Sequence, residues 1–264
     1  MIKELLAQKK VTVAGHRGYK AKFPENTILS FAEAIKLGVD MLEIDLNMTR
    51  DKEIIIIHDT TLDRTTNGSG PVRNYTLAEI KKLDAGSWFE GRFKNLTVPT
   101  LLELIQLLQD DAQMLLNVEI KDRTEEMADA AVKLLAKEGL IERCVFTCFD
   151  AAILGYISDK YSLKTQGFPG HKMDNFIPGE NGTYGKMWAV GIEMSLLTPR
   201  LVQEFQERNI LAWSYCPDTD AEVMHSLDCG ATLMTCNDPR PALRILRKKG
   251  LRRLTESSEF IKEI

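Results

Sequence analysis

Eight short runs of β-branched and aliphatic residues recur along the chain, at 11–14, 39–47, 114–120, 144–148, 163–167, 190–194, 210–215 and 231–235. Between them lie stretches that open with helix-start signals. Thr76, Thr100 and Thr219 each stand three residues ahead of a glutamate (Glu79, Glu103 and Glu222). At that spacing the hydroxyl and the carboxylate each take up a free N–H of the helix start. Thr198-Pro199 and Asp238-Pro239 put a capping oxygen ahead of a proline at the first helical position, where the missing N–H is not needed. Strands alternating with such helices require a parallel sheet, and eight units predict a closed (β/α)8 TIM barrel. The rival, an open doubly wound sheet, would be expected to carry a G-x-G-x-x-G turn after a strand, and the chain has none.

One run breaks the alternation. "EIIIIH" (53–58) follows the second strand after only "TRDK" (49–52), too short a link for a parallel crossover, so it must fold back antiparallel. Asp51-Lys52 as a two-residue turn sets Arg50 opposite Glu53 and His58 opposite Asp45; a three-residue turn would shift the pairing by one. Residues 59–99 are rich in turn formers with one clear helix start, and read as a small inserted subdomain above the barrel. The expected organisation is one barrel domain over 1–264 with this insertion after the hairpin.

Polar residues interrupt the strands in a pattern. Period two puts Glu43, Asp45 and Asn47 on one face of the second strand and Leu42, Ile44 and Leu46 on the other. The third barrel strand repeats this with Asn117, Glu119 and Lys121. The first strand ends in "GHRG", which delivers His16 and Arg17 to its C-terminal end, the end of a barrel where active sites form. One such residue could be a structural salt bridge; acids, two histidines and two cations at three adjacent strand ends are a site. Three carboxylates within reach of one another repel unless a cation lies between them. An all-oxygen set (Glu43, Asp45, Glu119) suits one hard divalent ion, Mg²⁺ or Ca²⁺. With that ion, Arg17 and Lys121, the site sums to +1, which a monoanionic phosphodiester would neutralise. Two histidines, His16 and His58, can then serve as acid and base near neutral pH.

Composition narrows the partners. The chain of 264 residues is 44% hydrophobic and 27% charged with a net charge of −4, so no nucleic-acid partner is expected. No apolar run approaches the roughly 18 residues of a membrane span, and the start lacks an apolar leader, so neither membrane insertion nor export is expected. Five cysteines read as reduced thiols of a cytoplasmic protein, with Cys144 and Cys148 packed in the core. His171 and His225 are expected at the surface. Trp213 is expected either in the core or as a substrate-binding wall of the pocket. "RILRKKGLRR" (244–253) reads as a solvated last helix, and the tail 254–264 could fray, pack on the barrel or mediate oligomers, which leaves the oligomeric state open.

"GHRG" (15–18), "PENT" (24–27), "EID" (43–45), "HD" (58–59), "LDRTTNGSG" (62–70), "VPTL" (98–101) and "VEIK" (118–121) together resemble the glycerophosphodiester phosphodiesterases, the cytoplasmic bacterial type in particular. The resemblance spans nearly the whole chain in the family's order. It implies metal-dependent hydrolysis of a small-molecule glycerophosphodiester to glycerol 3-phosphate and an alcohol. It also implies catalytic histidines at His16 and His58, metal ligands at Glu43, Asp45 and Glu119, and phosphate contacts from Arg17 and Lys121. "AWSYC" (212–216) and "TCNDP" (235–239) depart from the family's usual Trp-Thr-Val-Asn and Thr-Asp-x-Pro, which leaves the alcohol open. Two rival readings are a phospholipase D-like or lyase reaction that stops at a cyclic phosphate, and a non-catalytic phosphodiester-binding protein.

Overall fold

The structure, a computed structural model, describes residues 11–109, 111–179 and 181–252. The first ten residues, the end of the basic run and the tail, on which part of the reading above falls, lie outside them. Eight parallel strands form a closed ring in the order β1 (Thr12–His16), β2 (Met41–Met48), β4 (Leu115–Ile120), β5 (Cys144–Thr147), β6 (Thr165–Gly167), β7 (Ala189–Glu193), β8 (Leu211–Tyr215) and β9 (Leu233–Cys236). The ring closes because β1 pairs in parallel with both β2 and β9. The fold is a (β/α)8 TIM barrel. Helices α1 (Ile28–Leu37), α3 (Leu101–Leu107), α4 (Glu125–Lys137), α5 (Ala151–Tyr161), α6 (Pro199–Gln206), α7 (Asp220–Asp228) and α8 (Arg240–Lys248) cover the outside, and among the described residues two 3₁₀ turns alone link β6 to β7.

The helix starts form as their capping residues dictate. Thr76, Thr100 and Thr219 each make the reciprocal capping box with the glutamate three residues on. At 238–240 the last helix begins one residue later than expected. Pro239 is already helical in its backbone angles, and the Asp238 carboxylate accepts from the Arg240 N–H.

Strand alternation decides what lies inside. Read from the bottom of the barrel upward, the inward positions run Ala14–His16, Met41–Glu43–Asp45, Leu115–Asn117–Glu119, Val145–Thr147, Trp213–Tyr215 and Leu233–Thr235. The lower member of each series is apolar and packs into one plug with Ala189. The upper members are polar. The outward positions, such as Leu42, Ile44, Val118 and Phe146, pack against the helices in a separate, larger core. Burying each such side chain stabilises the fold by about 1.5–3 kcal/mol.

Strand β3 (Ile54–Ile56) returns antiparallel to β2, as expected, but its register is one residue off the expected one. Leu46 faces Ile56 and Asn47 faces Ile55, so Thr49 rather than Arg50 stands opposite Glu53. The turn holds three residues, Arg50 to Lys52, and Lys52 takes a left-handed conformation at φ 67°. This is the turn geometry of a three-residue hairpin loop. In that register Ile57, not His58, comes opposite Asp45, and its N–H donates to the Asp45 carbonyl.

The inserted segment after the hairpin carries the short helix α2 (Leu77–Ile80) and two 3₁₀ turns. Ile55, Ile57, Leu62, Val72, Ile80 and Val98 form its own small core, which sits on the hairpin. Ile80 is fully buried there. Ile80→Ala is expected to destabilise the protein by about 2–5 kcal/mol through a cavity that this small cluster cannot close. Urea unfolding of the two proteins measures it; a loss under about 0.5 kcal/mol would mean the insertion contributes no cooperative core.

Candidate active site

The turn after β1 builds the first wall. Arg17 and Gly18 both have positive φ, 53° and 84°, which swings the Arg17 backbone N–H onto the Glu43 carboxylate at 2.8 Å. A Cβ at Gly18 would lie 2.4 Å from the Ser30 hydroxyl oxygen, so only glycine makes this turn against α1.

Glu43, Asp45 and Glu119 each place one oxygen within 4.8 Å of the others, and all three are buried. Burial and the neighbouring Asp45 charge push Glu43 well above the usual carboxylate range, and burial likewise raises Glu119. Burial opposes ionisation of Asp45 too, but Lys121 and Arg17 outweigh it and hold this carboxyl below its ordinary value. Arg17 Nε lies 3.2 Å from Asp45 Oδ2, to which Asn26 Nδ2 also donates at 2.8 Å. Lys121 Nζ bonds Glu119 Oε1 at 2.5 Å and stands 3.4 Å from Asp45 Oδ1. Asp45 Oδ1 nevertheless has no hydrogen-bond donor, although fully buried. Two carboxyls with raised proton affinity beside an oxygen lacking a donor are a donor set that fits a hard divalent ion.

The histidines face this cluster from two sides. His16 Nε2 lies 3.8 Å from Glu43 Oε2, and its Nδ1 meets Asn237 Oδ1 at 2.6 Å. Burial, helped by Arg17 and Lys20, drives its pKa down to about 3. His58 lies at the same mouth although it does not pair with Asp45, because β3 ends at Ile56 and the chain turns away from the ladder. Its Nδ1 meets Asp59 Oδ1 at 2.6 Å, and burial lowers its pKa against the pull of Asp45.

A charge network ties the two histidine loops together. Arg64, from the insertion, donates to both oxygens of Asp59 and, at 2.8 Å, to Glu25, which also accepts from Arg17 at 2.8 Å. Glu25, Asn26, Asp59 and Arg64 are charged or amide residues that strand periodicity could not single out; they lie in loops, within "PENT", "HD" and "LDRTT".

The cavity between these groups has a volume of about 150 Å³. Phe149 and Phe168, stacked at 3.6 Å, and Tyr215, edge-on to Phe168, form its far wall above Gln166 and Thr147. Gly191 makes room for that wall, since a Cβ there would come within 2.6 Å of Gln166 Nε2 and 3.1 Å of the Phe168 ring. The structure gathers His16, Arg17, Glu43, Asp45, His58, Glu119 and Lys121 in one mouth. Trp213 is not among them. It is 1% exposed in the lower plug, edge-on to Trp188, because its position on β8 is one inward step below the mouth. Of the two places expected for Trp213 it takes the core one, and Tyr215, two residues on, takes the wall. His171 and His225 are exposed and Cys144 and Cys148 are buried, as expected.

Acids, imidazoles and cations at the carboxyl ends of parallel barrel strands mark a (β/α)8-barrel enzyme. Residues 16–240 match the model of the glycerophosphoryl diester phosphodiesterase family, and the chain belongs to that family, as a phosphoric diester hydrolase. It is 29% identical over 253 residues to a glycerophosphodiester phosphodiesterase of Caldanaerobacter subterraneus subsp. tengcongensis, covering 91% of this chain and all of that one. It is 31% identical over 252 residues to a glycerophosphodiester phosphodiesterase of Bacillus subtilis, covering 89% and 86% of the two chains. Among solved structures, an Oleispira antarctica phosphodiesterase in complex with the product sn-glycerol-3-phosphate shares the fold, with a TM-score of 0.79, 24% identity, and 92% and 99% of the chains covered.

The Glu25 network generates a pH-dependent term. Burial would raise this carboxyl, but hydrogen bonds and charge from Arg64 and Arg17 bring it down from 4.5 to about 2. A depressed carboxylate pKa adds stability that is present above 4.5 and lost as pH falls toward 2. The stability gap between the protein and Glu25→Gln should therefore be full at pH 6 and narrow progressively between about pH 4.5 and 2. Urea titrations at several pH values measure it; a gap independent of pH would refute the assignment.

Proposed function

We propose that the protein hydrolyses glycerophosphodiesters to sn-glycerol 3-phosphate and an alcohol, with one divalent cation, Mg²⁺ or Ca²⁺, held by Glu43, Asp45 and Glu119. The observation that carries this is the convergence of three buried carboxylates, all within 4.8 Å, with two imidazoles beside them. The family and the named activity of its relatives support the substrate class. The bound ion would supply Lewis acidity and charge neutralisation at the phosphoryl oxygens.

The chain's own residues do the rest. Arg17 and Lys121, now spread among Asp45, Glu25 and Glu119, can turn donors to a phosphodiester entering between them. Each histidine has its Nδ1 engaged by an oxygen, Asn237 Oδ1 or Asp59 Oδ1, which leaves Nε2 as the nitrogen offered to the substrate. One Nε2 takes the proton of the attacking water, and the other, arriving protonated, gives its proton to the leaving alkoxide. The aromatic wall of Phe149, Phe168 and Tyr215 offers a surface for the carbon skeleton. We place the whole chain in one catalytic domain and in the cytoplasm, a reading supported by five free cysteines; among the described residues no helix is long and apolar enough to cross a membrane.

Glu43→Ala, Asp45→Ala or Glu119→Ala should abolish both Mg²⁺ or Ca²⁺ binding in calorimetry and turnover, and a chelator should do so reversibly. Full activity in EDTA would overturn the metal. Phosphorus NMR should show glycerol 3-phosphate as the first product; a cyclic phosphate would favour the lyase reading.

Loss of either His16 or His58 to alanine should cost about 10²–10⁴-fold in rate on a natural diester. A nitrophenyl ester, whose leaving group needs no protonation, should rescue whichever histidine is the acid. Rescue of neither would rule out the division of labour.

A further inference from the structure

Strand β9 ends beside the mouth, and the loop after it presents Asn237 to His16. Asn237 Oδ1 is 2.6 Å from His16 Nδ1, while its Nδ2 donates to Asp218 Oδ2, also at 2.6 Å. Asp218 comes from the loop after β8. Its other oxygen accepts the Asp238 backbone N–H at 2.9 Å, and its own N–H donates to Glu222 Oε2 at 3.0 Å, in the capping box of α7. The main chain of Asn237 is pinned as well, its carbonyl accepting from the Ala21 N–H. Apart from His16, none of these residues lines the cavity around the carboxylate cluster.

The chemistry of the three groups leaves one arrangement. Burial raises the Asp218 carboxyl, while hydrogen bonds from the Asp238 and Asn237 N–H groups favour its charge; ionised, it only accepts, so the Asn237 amide turns its NH₂ toward it. That leaves the amide oxygen, which only accepts, against His16. His16 must then donate from Nδ1, so the neutral ring takes the tautomer with its lone pair on Nε2. We propose that Asp218 and Asn237 are positioning residues that set the tautomer of His16 by this two-step relay, so that the neutral ring turns its Nε2 lone pair, not an N–H, toward the reacting groups. The Cys216 thiol, 3.2 Å from the same Nδ1, does not compete. Burial pushes it up to about 12, so it remains a thiol; its S–H is only a weak donor to Nδ1, and accepting it there would set the Nδ1 lone pair against the Asn237 amide oxygen. The proposal rests on the reaction above, with His16 as the base that works through Nε2.

The relay makes an unusual prediction, that a residue with no contact to His16 inverts its proton. In Asp218→Asn the new amide keeps its oxygen on the Asp238 N–H and turns an NH₂ toward Asn237. Asn237 must then flip to accept, and its own NH₂ now faces His16, which has to accept at Nδ1 and carry its proton on Nε2. Adding Asn237→Asp to that variant restores an acceptor on both sides and returns the proton to Nδ1.

The experiment is long-range ¹H–¹⁵N correlation NMR of histidine-labelled protein with Mg²⁺ present, with the His16 signals identified from their absence in His16→Ala. The wild-type protein should show the Nδ1–H form and Asp218→Asn the Nε2–H form, with a fall in kcat of about 10²–10⁴-fold and little change in KM. The double variant should regain the Nδ1–H form and most of the rate. Unchanged backbone amide signals away from the loops after β8 and β9 report that each variant is folded. An Nε2–H form in the wild-type protein, or an Asp218→Asn tautomer identical to wild type, would overturn the relay. Inversion of the tautomer with no loss of rate would uphold the relay and overturn instead the role given to His16.

Discussion

The constraint on which the rest of the structure depends is the mutual repulsion of Glu43, Asp45 and Glu119. At separations within 4.8 Å each ionised pair would repel by at least about 3 kcal/mol even at an effective dielectric of ~20. The barrel answers with fixed cations. Arg17 is held to Asp45 by a turn that glycine alone permits, and Lys121 reaches the same cluster two positions beyond Glu119 on the same strand face. Even so, two of the three carboxyls keep raised proton affinities, and one oxygen of Asp45 keeps no donor. The site is balanced short of neutrality, which is the state expected of a place built to receive a cation.

The barrel makes this possible by separating stability from chemistry along each strand. The lower inward positions form an apolar plug and the outward ones a helix-facing core, so the upper inward positions are released from packing. Trp213 and Tyr215 make the point within one strand, with the first in the plug and the second in the cavity wall. The inserted segment adds a further division. Its own small core sits on the β2–β3 hairpin, and from it Arg64 reaches down to Asp59 and Glu25, linking the loops that carry His58 and His16.

Alternation and capping residues were enough to locate the eight barrel strands and five helix starts, the last within one residue, because both are local. A period of two places Glu43 and Asp45, or Asn117 and Glu119, on one face whatever the rest of the chain does. The parallel connection then brings all strand ends to one mouth. Hence the carboxylates, His16, Arg17 and Lys121 were legible together, before any contact between them was known.

What the tertiary structure alone decided lies where the chain leaves regular structure. The hairpin register turned on whether Lys52 would enter the left-handed region, a choice of one residue's backbone that periodicity does not encode. His58 reached the mouth in spite of that shift because β3 ends at Ile56, two residues before it. Asn237, Asp218, Glu25 and Arg64 come from four separate loops, and their hydrogen bonds join residues up to 221 positions apart. Local pattern carries which face a side chain takes; which distant loop supplies its partner depends on how the closed ring brings loop ends together, and that exists only once the barrel is formed.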